Sequence, residues 1–456
     1  MPSFHIPDFV RTRPLVLAWT AFALYSAGAS VVVQFFIVPV LLPAVHAGNG
    51  LLAGGDAAIF HAIAAELAES IRQSGWSAWS LAPKGQTAAG LAAPVYVMAT
   101  AAPWALIPVN AVLHATAGVI VMRLLQEVEV DAPLALAGGA LWVGLPSSLQ
   151  WVAQIQKSGY FFAGMLAALL GLVMLLRLVR AGPRPPGLLL GVGLLAAGII
   201  TAGAARPYAF QLMQPVVTSF AVGAAAVACH NAWRKRLAPA QCFAAIIALA
   251  AIVVCMSFAP RDTRLEPAAQ AQDDGVAPVA TELIGDAPWQ PGSLLPAFID
   301  RAFLGLAIAR RGYLSDTYKS AGSMIDLDRQ FHNPLEVIAY VPRALQVGFL
   351  APFPTQWTAP GSRPGSAIMR LVAGIEMLVL YPLLLAGLPL AAWRWRALPQ
   401  FWLVAAYCSI FIVAYACATP NVGALYRMRY GFLMTLAAVG LAALWMTLRE
   451  RRTPHA

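Results

Sequence analysis

The sequence predicts an all-α, polytopic membrane protein of about ten transmembrane helices, with interfacial amphipathic helices in two long outer loops. Three observations predict it. Of 456 residues, 60% are hydrophobic and only 11% charged, whereas soluble chains carry roughly a quarter charged residues. Several apolar runs reach the ~20 residues that a helix needs to cross a ~30 Å hydrocarbon core. Many of the basic residues fall in short stretches between those runs, as loops on the inner face of a membrane require. The net charge of +10 is thereby explained by topology, and no nucleic-acid partner follows from it.

Spans are expected at 16–43, 104–126, 133–153, 159–177, 187–204, 208–228, 241–258, 368–391, 399–418 and 426–447. The first follows Arg11 and Arg13 and exceeds the roughly 7–15-residue core of a cleaved signal, so it reads as a retained anchor. With the N-terminus inside, the inner loops hold Arg123, then Arg177, Arg180 and Arg184, then Arg234, Lys235 and Arg236, then Arg394 and Arg396, and finally Arg449, Arg451 and Arg452. An odd number of spans between any two of these clusters would break the positive-inside pattern, so both termini are expected inside. The five cysteines lie in or beside expected spans, and no disulfide framework is implied. The whole of 1–456 reads as a single transmembrane domain.

Two segments face outward and are long. The first, 44–103, contains GGDAAIFHAIAAELAESIRQSGW, in which Phe60, Ile63, Leu67 and Ile71 recur at helical spacing, opposite His61, Glu66, Glu69, Arg72 and Gln73. Such a helix lies along the interface with its apolar stripe in lipid or protein. The apolar stretch 91–103 is too short to span, and is expected to be re-entrant or packed on the bundle. The second segment, 259–367, opens with a disordered composition, RDTRLEPAAQAQDDGVAPVATE. It then offers two helical pieces, LLPAFIDRAFLGLAIARRGYL and NPLEVIAYVPRALQVGFLAPFP, the latter with a bend expected at Pro342.

The three short outer connections carry cations and no acid. QIQKSGYF holds Lys157, GAARPYAF holds Arg206, and TPNVGALYRMRYGF holds Arg427 and Arg429. A charge at membrane depth costs roughly 2.5–3.5 kcal/mol on insertion scales, so such residues have partners or tasks. Each can snorkel singly to headgroup phosphates. Alternatively the four converge on a bound phosphate or pyrophosphate, for which Arg supplies a planar fork and Lys a point charge.

Asp56 stands where a helix N-cap is expected, though Ile59 three residues later gives no capping box. A carboxylate fixed at a helix start also suits a general base, and the two roles are compatible. Glu66 and Glu69 read as a solvated helix face. His46, Asp56 and His61 follow no known metal-ligand spacing. His332 lies among Asp326, Asp328, Arg329 and Glu336, either as a solvated loop residue or as an acceptor or catalytic contact. Glu376, inside the eighth expected span, needs a partner that the sequence does not name. Asn110 and His114, one turn apart, are read as interhelical hydrogen-bond formers. No phosphate-binding Gly-rich loop, nucleophile elbow or HExxH motif occurs.

The outline resembles the GT-C class of polyprenyl-phosphate-dependent membrane glycosyltransferases. The similarity lies in an inner N-terminus, one span, an acid early in a long outer loop (GGDAAIFHAIAAEL), interfacial helices, and the closing piece NVGALYRMRYGFLMTLAAVGL. The resemblance implies Asp56 as the base that deprotonates an acceptor hydroxyl as it attacks the anomeric carbon. It implies Lys157, Arg206, Arg427 and Arg429 as the residues holding the donor's lipid phosphate. The partners would be a polyprenyl-phosphate-linked sugar donor, a glycan or lipid acceptor, and membrane lipids. No organic cofactor is implied; a divalent cation remains open. The sequence departs from the class pattern where Ala57 follows Asp56, where Ser158 and Gly159 follow Lys157, and in having no terminal soluble domain.

Two other readings stand beside it. A polysaccharide polymerase or ligase would place its working residues in the later outer loop, with Arg310, Arg311, His332 and Arg343 engaging lipid pyrophosphate. A lipid-linked glycan transporter or flippase would depend on Glu376 and not on Asp56. Ala, Leu, Gly, Pro and Arg dominate while Lys is scarce, a high-GC bacterial composition, so the expected location is the bacterial cytoplasmic membrane.

Overall fold

The computed structural model describes residues 14–53, 56–181, 185–234, 289–293, 295–314, 322–359 and 365–452, with isolated positions 242, 246 and 250. It is an all-α membrane architecture: among the described residues there is no β-strand, only two isolated bridges, His46 to Leu52 and Met324 to Asn421. Among the described residues, eight helices are long and apolar enough to cross a membrane, and a ninth span would be a bent pair.

Helix α1 (Pro14–Val32) runs on as a π-helical stretch, Val33–Leu41. The first outer segment folds as α2 (Ala57–Ser74) and α3 (Thr87–Met98). Next come α4 (Ile107–Glu127), α5 (Ala132–Gly144), α6 (Pro146–Val152), α7 (Ser158–Ala181), α8 (Pro185–Ala205) and α9 (Ala209–Trp233). The second outer segment contributes α10 (Ala297–Tyr313) and α11 (Pro334–Leu350). The chain closes with α12 (Ser366–Pro382), a π-helical turn, α13 (Leu388–Arg394), α14 (Pro399–Ala418) and α15 (Val422–Arg452).

The third expected span is not one helix. Helices α5 and α6 meet at 61°, because Pro146 has no N–H for the preceding turn and drives Leu145 out of helical backbone, to φ −72 and ψ 138. The seventh expected span, 241–258, lies outside the described residues apart from three isolated positions. So do the opening of the second outer segment and the inner cations Arg11, Arg13, Arg184, Lys235 and Arg236.

Helix α2 buries Phe60, Ala64, Leu67, Ala68 and Ile71. They meet Ala88, Ala89, Ala92, Ala93 and Tyr96 of α3, so the apolar stripe faces protein and the pair forms a lid-like layer. Gly90 of α3 packs against the loop that joins the two helices: a Cβ there would stand 2.0 Å from the Leu81 carbonyl oxygen. Helices α7 and α8 are drawn together by small residues. A Cβ on Gly198 would lie 2.5 Å from Ala168 N, and one on Gly171 would lie 2.7 Å from Gly191 O, the close approach typical of membrane helix pairs. The centre is an aromatic stack in which Phe411 and Phe432 lie parallel at 5.2 Å, with Tyr407, Tyr415 and Phe161 around Phe432.

At the end of the bundle expected to face inward, four of the described cations are paired with acids. Arg123 and Arg177 share Glu127 at 3.0 and 3.2 Å, Arg394 holds Glu450 at 2.7 Å, and Arg449 approaches Asp131 at 3.7 Å. The opposite end is arranged differently.

Candidate functional site

The site begins with a turn. Gly48, Asn49 and Gly50 all have positive φ, and Gly50 N donates to His46 Nε2 at 3.1 Å. Gly50 is required twice over, because a Cβ at its φ of +73° would also stand 2.5 Å from the Gln34 carbonyl oxygen. The next residues are clasped by Gln154: its Oε1 accepts from Leu52 N at 3.0 Å and its Nε2 donates to Gly50 O at 2.9 Å. The segment carrying Gln154 is itself pinned. Gln34 donates to Ala153 O at 2.6 Å, and Asn110 donates to Val152 O and Gln154 O at 2.9 and 3.2 Å. Two stretches far apart in sequence, one ending at Asp56 and the other at Lys157, are thus fastened side by side.

Asp56 occupies the N-cap position of α2, but its backbone is already helical (φ −69, ψ −16) and its side chain makes no cap hydrogen bond. The carboxylate instead reaches across the chain, with Oδ2 3.8 Å from Nη2 of Arg427 on α15. Lys157, half-buried, lies in the same group. Burial pushes its ammonium down to about 8, the charges of Arg206 and Arg427 push the same way, and Asp56 opposes them. Arg206, 3% exposed, ends α8. Its guanidinium sits 4.5 Å over the Phe161 ring, Nη2 approaches Ser158 Oγ at 3.4 Å and the Tyr415 hydroxyl lies within reach, while Nε and Nη1 make no well-aligned hydrogen bond among the described residues. Thr87 Oγ1 donates to Ala205 O at 2.7 Å, tying the first outer segment to the helix end that bears Arg206.

Of the four cations singled out by sequence, three therefore share one neighbourhood: Lys157 feels the charges of Arg206, Arg427 and Asp56, and Arg427 approaches Asp56. Arg429 does not join them. It is 1% exposed, and its guanidinium donates to the carbonyls of Val347, Gly348 and Ala351, closing the C-terminus of α11 where helix carbonyls lack partners. Two residues along a helix turn a side chain to another face, which a count of cations per loop does not register.

The other candidates have separate surroundings. Glu66 pairs with Lys84 at 2.7 Å, and Glu69 with Arg72 at 3.6 Å, as exposed partners. His61 Nδ1 lies 2.8 Å from Tyr96 Oη, and burial lowers its pKa. His46 Nε2 accepts within the turn, and no group of three or more potential metal ligands occurs among the described residues. Arg310 is a buried staple donating to Arg329 O, Cys417 O and Asp326 O at 2.7, 3.0 and 2.8 Å. Arg343 grips both carboxylate oxygens of Asp326 at 3.0 and 3.1 Å. Burial would raise that carboxyl, but hydrogen bonds from Arg343 and Tyr340 outweigh it and hold the group below its ordinary value. His332 contributes its backbone: its N–H donates to Glu336, whose own N–H is capped by Asn333. Arg311 buries Nη1 without a partner among the described residues.

Glu376 has partners that the sequence did not name: Ser147, through its backbone N–H at 2.6 Å and its hydroxyl, and Tyr426 Oη at 2.6 Å. It ties the break between α5 and α6 to the residue next to Arg427. His114 bonds Ser26 Oγ at 2.9 Å and Asn110 the 152–154 loop, both between elements as expected.

Gln154 and Thr87 were not singled out by sequence, since an uncharged amide or hydroxyl in an apolar context carries no distinctive pattern. Comparison with family models, with curated proteins and with solved structures finds no match to this chain.

Proposed function

We propose that this protein is a membrane glycosyltransferase that moves a sugar from a polyprenyl-phosphate donor to an acceptor hydroxyl at the outer face of a bacterial cytoplasmic membrane, with both termini inside. The observation that carries the reading is that Lys157 lies among the charges of Arg206, Arg427 and Asp56, residues drawn from separate connections, with Arg427 3.8 Å from the Asp56 carboxylate. In the reaction the acceptor oxygen bonds to the anomeric carbon and its proton passes to Asp56. The bond from that carbon to the phosphate oxygen breaks, and its electron pair stays on the phosphate. The three cations stabilise the charge that develops there, a contribution of roughly 10²–10³ in rate for one donor at comparable sites.

The polymerase or ligase reading would rely on Arg310, Arg311, His332 and Arg343. It is less well supported, because Arg310 and Arg343 spend their donors within the chain.

The test is mass spectrometry of lipid-linked sugars and envelope glycans in a strain lacking the protein, restored with wild type or with Asp56→Asn. Loss of one sugar modification, recovered only by wild type, supports the transferase. Accumulation of unpolymerised repeat units, cleared equally by both, would overturn it.

A further inference from the structure

We propose that Tyr415 is a further anion-binding residue, and that with Arg206 it forms a buried notch for one phosphoryl oxygen. The inference rests on the reading of the Asp56 cluster as a phosphate site and adds an uncharged residue from a separate helix.

The notch lies where the end of α8 meets α14. Arg206 is 3% exposed and Tyr415 2% exposed. Both rest on the same ring, since Phe161 lies 4.5 Å under the guanidinium and 6.3 Å from the Tyr415 ring. The guanidinium and the phenol hydroxyl lie within reach of each other, with the Tyr208 hydroxyl also beside Tyr415, yet Arg206 Nε, Arg206 Nη1 and Tyr415 Oη are buried with no well-aligned hydrogen bond among the described residues. An unsatisfied buried polar group costs about 1–3 kcal/mol, more when charged, and folded proteins leave few of them. Here two orphaned N–H groups and an orphaned hydroxyl share one place, and all three can donate.

What would satisfy them is an acceptor oxygen bearing negative charge. Arg favours phosphate oxygens because its fork presents parallel N–H groups, and hydrogen bonds to an ionised acceptor are the strong ones. Ser158, whose hydroxyl meets Arg206 Nη2, follows Lys157 directly, so the notch adjoins the ammonium. A phosphoryl group with one oxygen in the notch would thus leave others toward Lys157 and Arg427. The ligand is either a lipid phosphate or a free phosphate ion, which share this chemistry.

Tyr415→Phe isolates the hydroxyl while keeping the ring. The full-length protein in detergent is melted alone, with farnesyl phosphate, and with inorganic phosphate, across a concentration series. The expected result is an unliganded melting temperature unchanged or slightly raised, because an unsatisfied group has been removed. Affinity for farnesyl phosphate should fall on the order of tenfold, the worth of one charge-assisted hydrogen bond. Equal affinity in wild type and Tyr415→Phe would overturn the notch while leaving the lipid-phosphate reading intact. A lowered unliganded melting temperature would also overturn it, since the hydroxyl would then be satisfied within the fold. A Tyr415-dependent response to inorganic phosphate equal to that for farnesyl phosphate supports the notch and assigns it to the free ion. If wild type responds to neither ligand, the phosphate site itself fails, and the notch with it.

Discussion

Asp56 Oδ2 and Arg427 Nη2 stand 3.8 Å apart, joining the start of the first outer helix to the first turns of the last helix in the chain. Their side chains are 36% and 30% exposed, and an ion pair in that setting is worth about 0–1 kcal/mol. Stability therefore does not explain the contact, and its consequence should be chemical. Asp56→Asn and Arg427→Ala should each abolish glycosyl transfer in membranes, with Arg427→Ala losing roughly 10²–10³ in rate. Both proteins should accumulate and melt like wild type. Transfer assays on membranes adjusted to equal protein content would check this; full activity in both variants would end the proposal.

Lys157 supplies a pH signature. Its value of about 8 in the fold lies below the ordinary 10.5, so between these limits the unfolded chain holds the proton more firmly. Stability should therefore rise as pH increases from about 8 toward 10.5, and this group should contribute no slope below that window. Anion binding should move the opposite way, weakening above pH 8 as the ammonium loses its charge. Lys157→Arg should flatten the binding profile. Titrating the farnesyl-phosphate response from pH 6 to 10 in both proteins is the measurement.

Arg310 should behave as a structural residue. Removing it leaves the carbonyls of Asp326, Arg329 and Cys417 without their donor and opens a void between Phe331 and Tyr340. Arg310→Ala should cost on the order of 3–5 kcal/mol, the range for breaking a buried charged contact. Its expected sign is low abundance in membranes and a depressed melting temperature. Normal abundance with selective loss of activity would move Arg310 into the chemistry and revive the polymerase reading.

Gly50→Ala tests the turn ahead of Asp56. The substitution meets both a positive φ of +73° and a contact at 2.5 Å with Gln34 O, and strain of this kind costs about 1–3 kcal/mol. Transfer should fall further than that loss of stability accounts for, because the turn fixes where Asp56 begins. Melting and transfer measured on the same preparation would separate the two effects.

The membrane helices were legible because spanning lipid demands long apolar runs, and composition alone satisfies that demand. The break at Leu145 had its signal in Pro146, but apolar length concealed it. The convergence of Asp56 with cations of distant loops was legible only as a charge imbalance between the outer connections. Which arginine would turn toward that carboxylate was not legible. Arg427 and Arg429 look alike in sequence, and helix geometry sends one to the cluster and the other to the carbonyls of α11. Glu376 was recognisable as a buried acid in need of partners, but Ser147 and Tyr426 come from distant elements.

The Gln154 clasp carries a mechanical consequence. An amide that holds Leu52 N and Gly50 O on one strip of chain, three residues before Lys157, fastens that strip to the loop leading to the ammonium. Any outward swing of the first loop to admit a bulky acceptor must first undo both bonds. The same swing would carry Asp56 away from Arg427. On the proposed transferase reading, admission and reaction would be separate events in time, and a substrate that props the loop ajar would hold the protein idle.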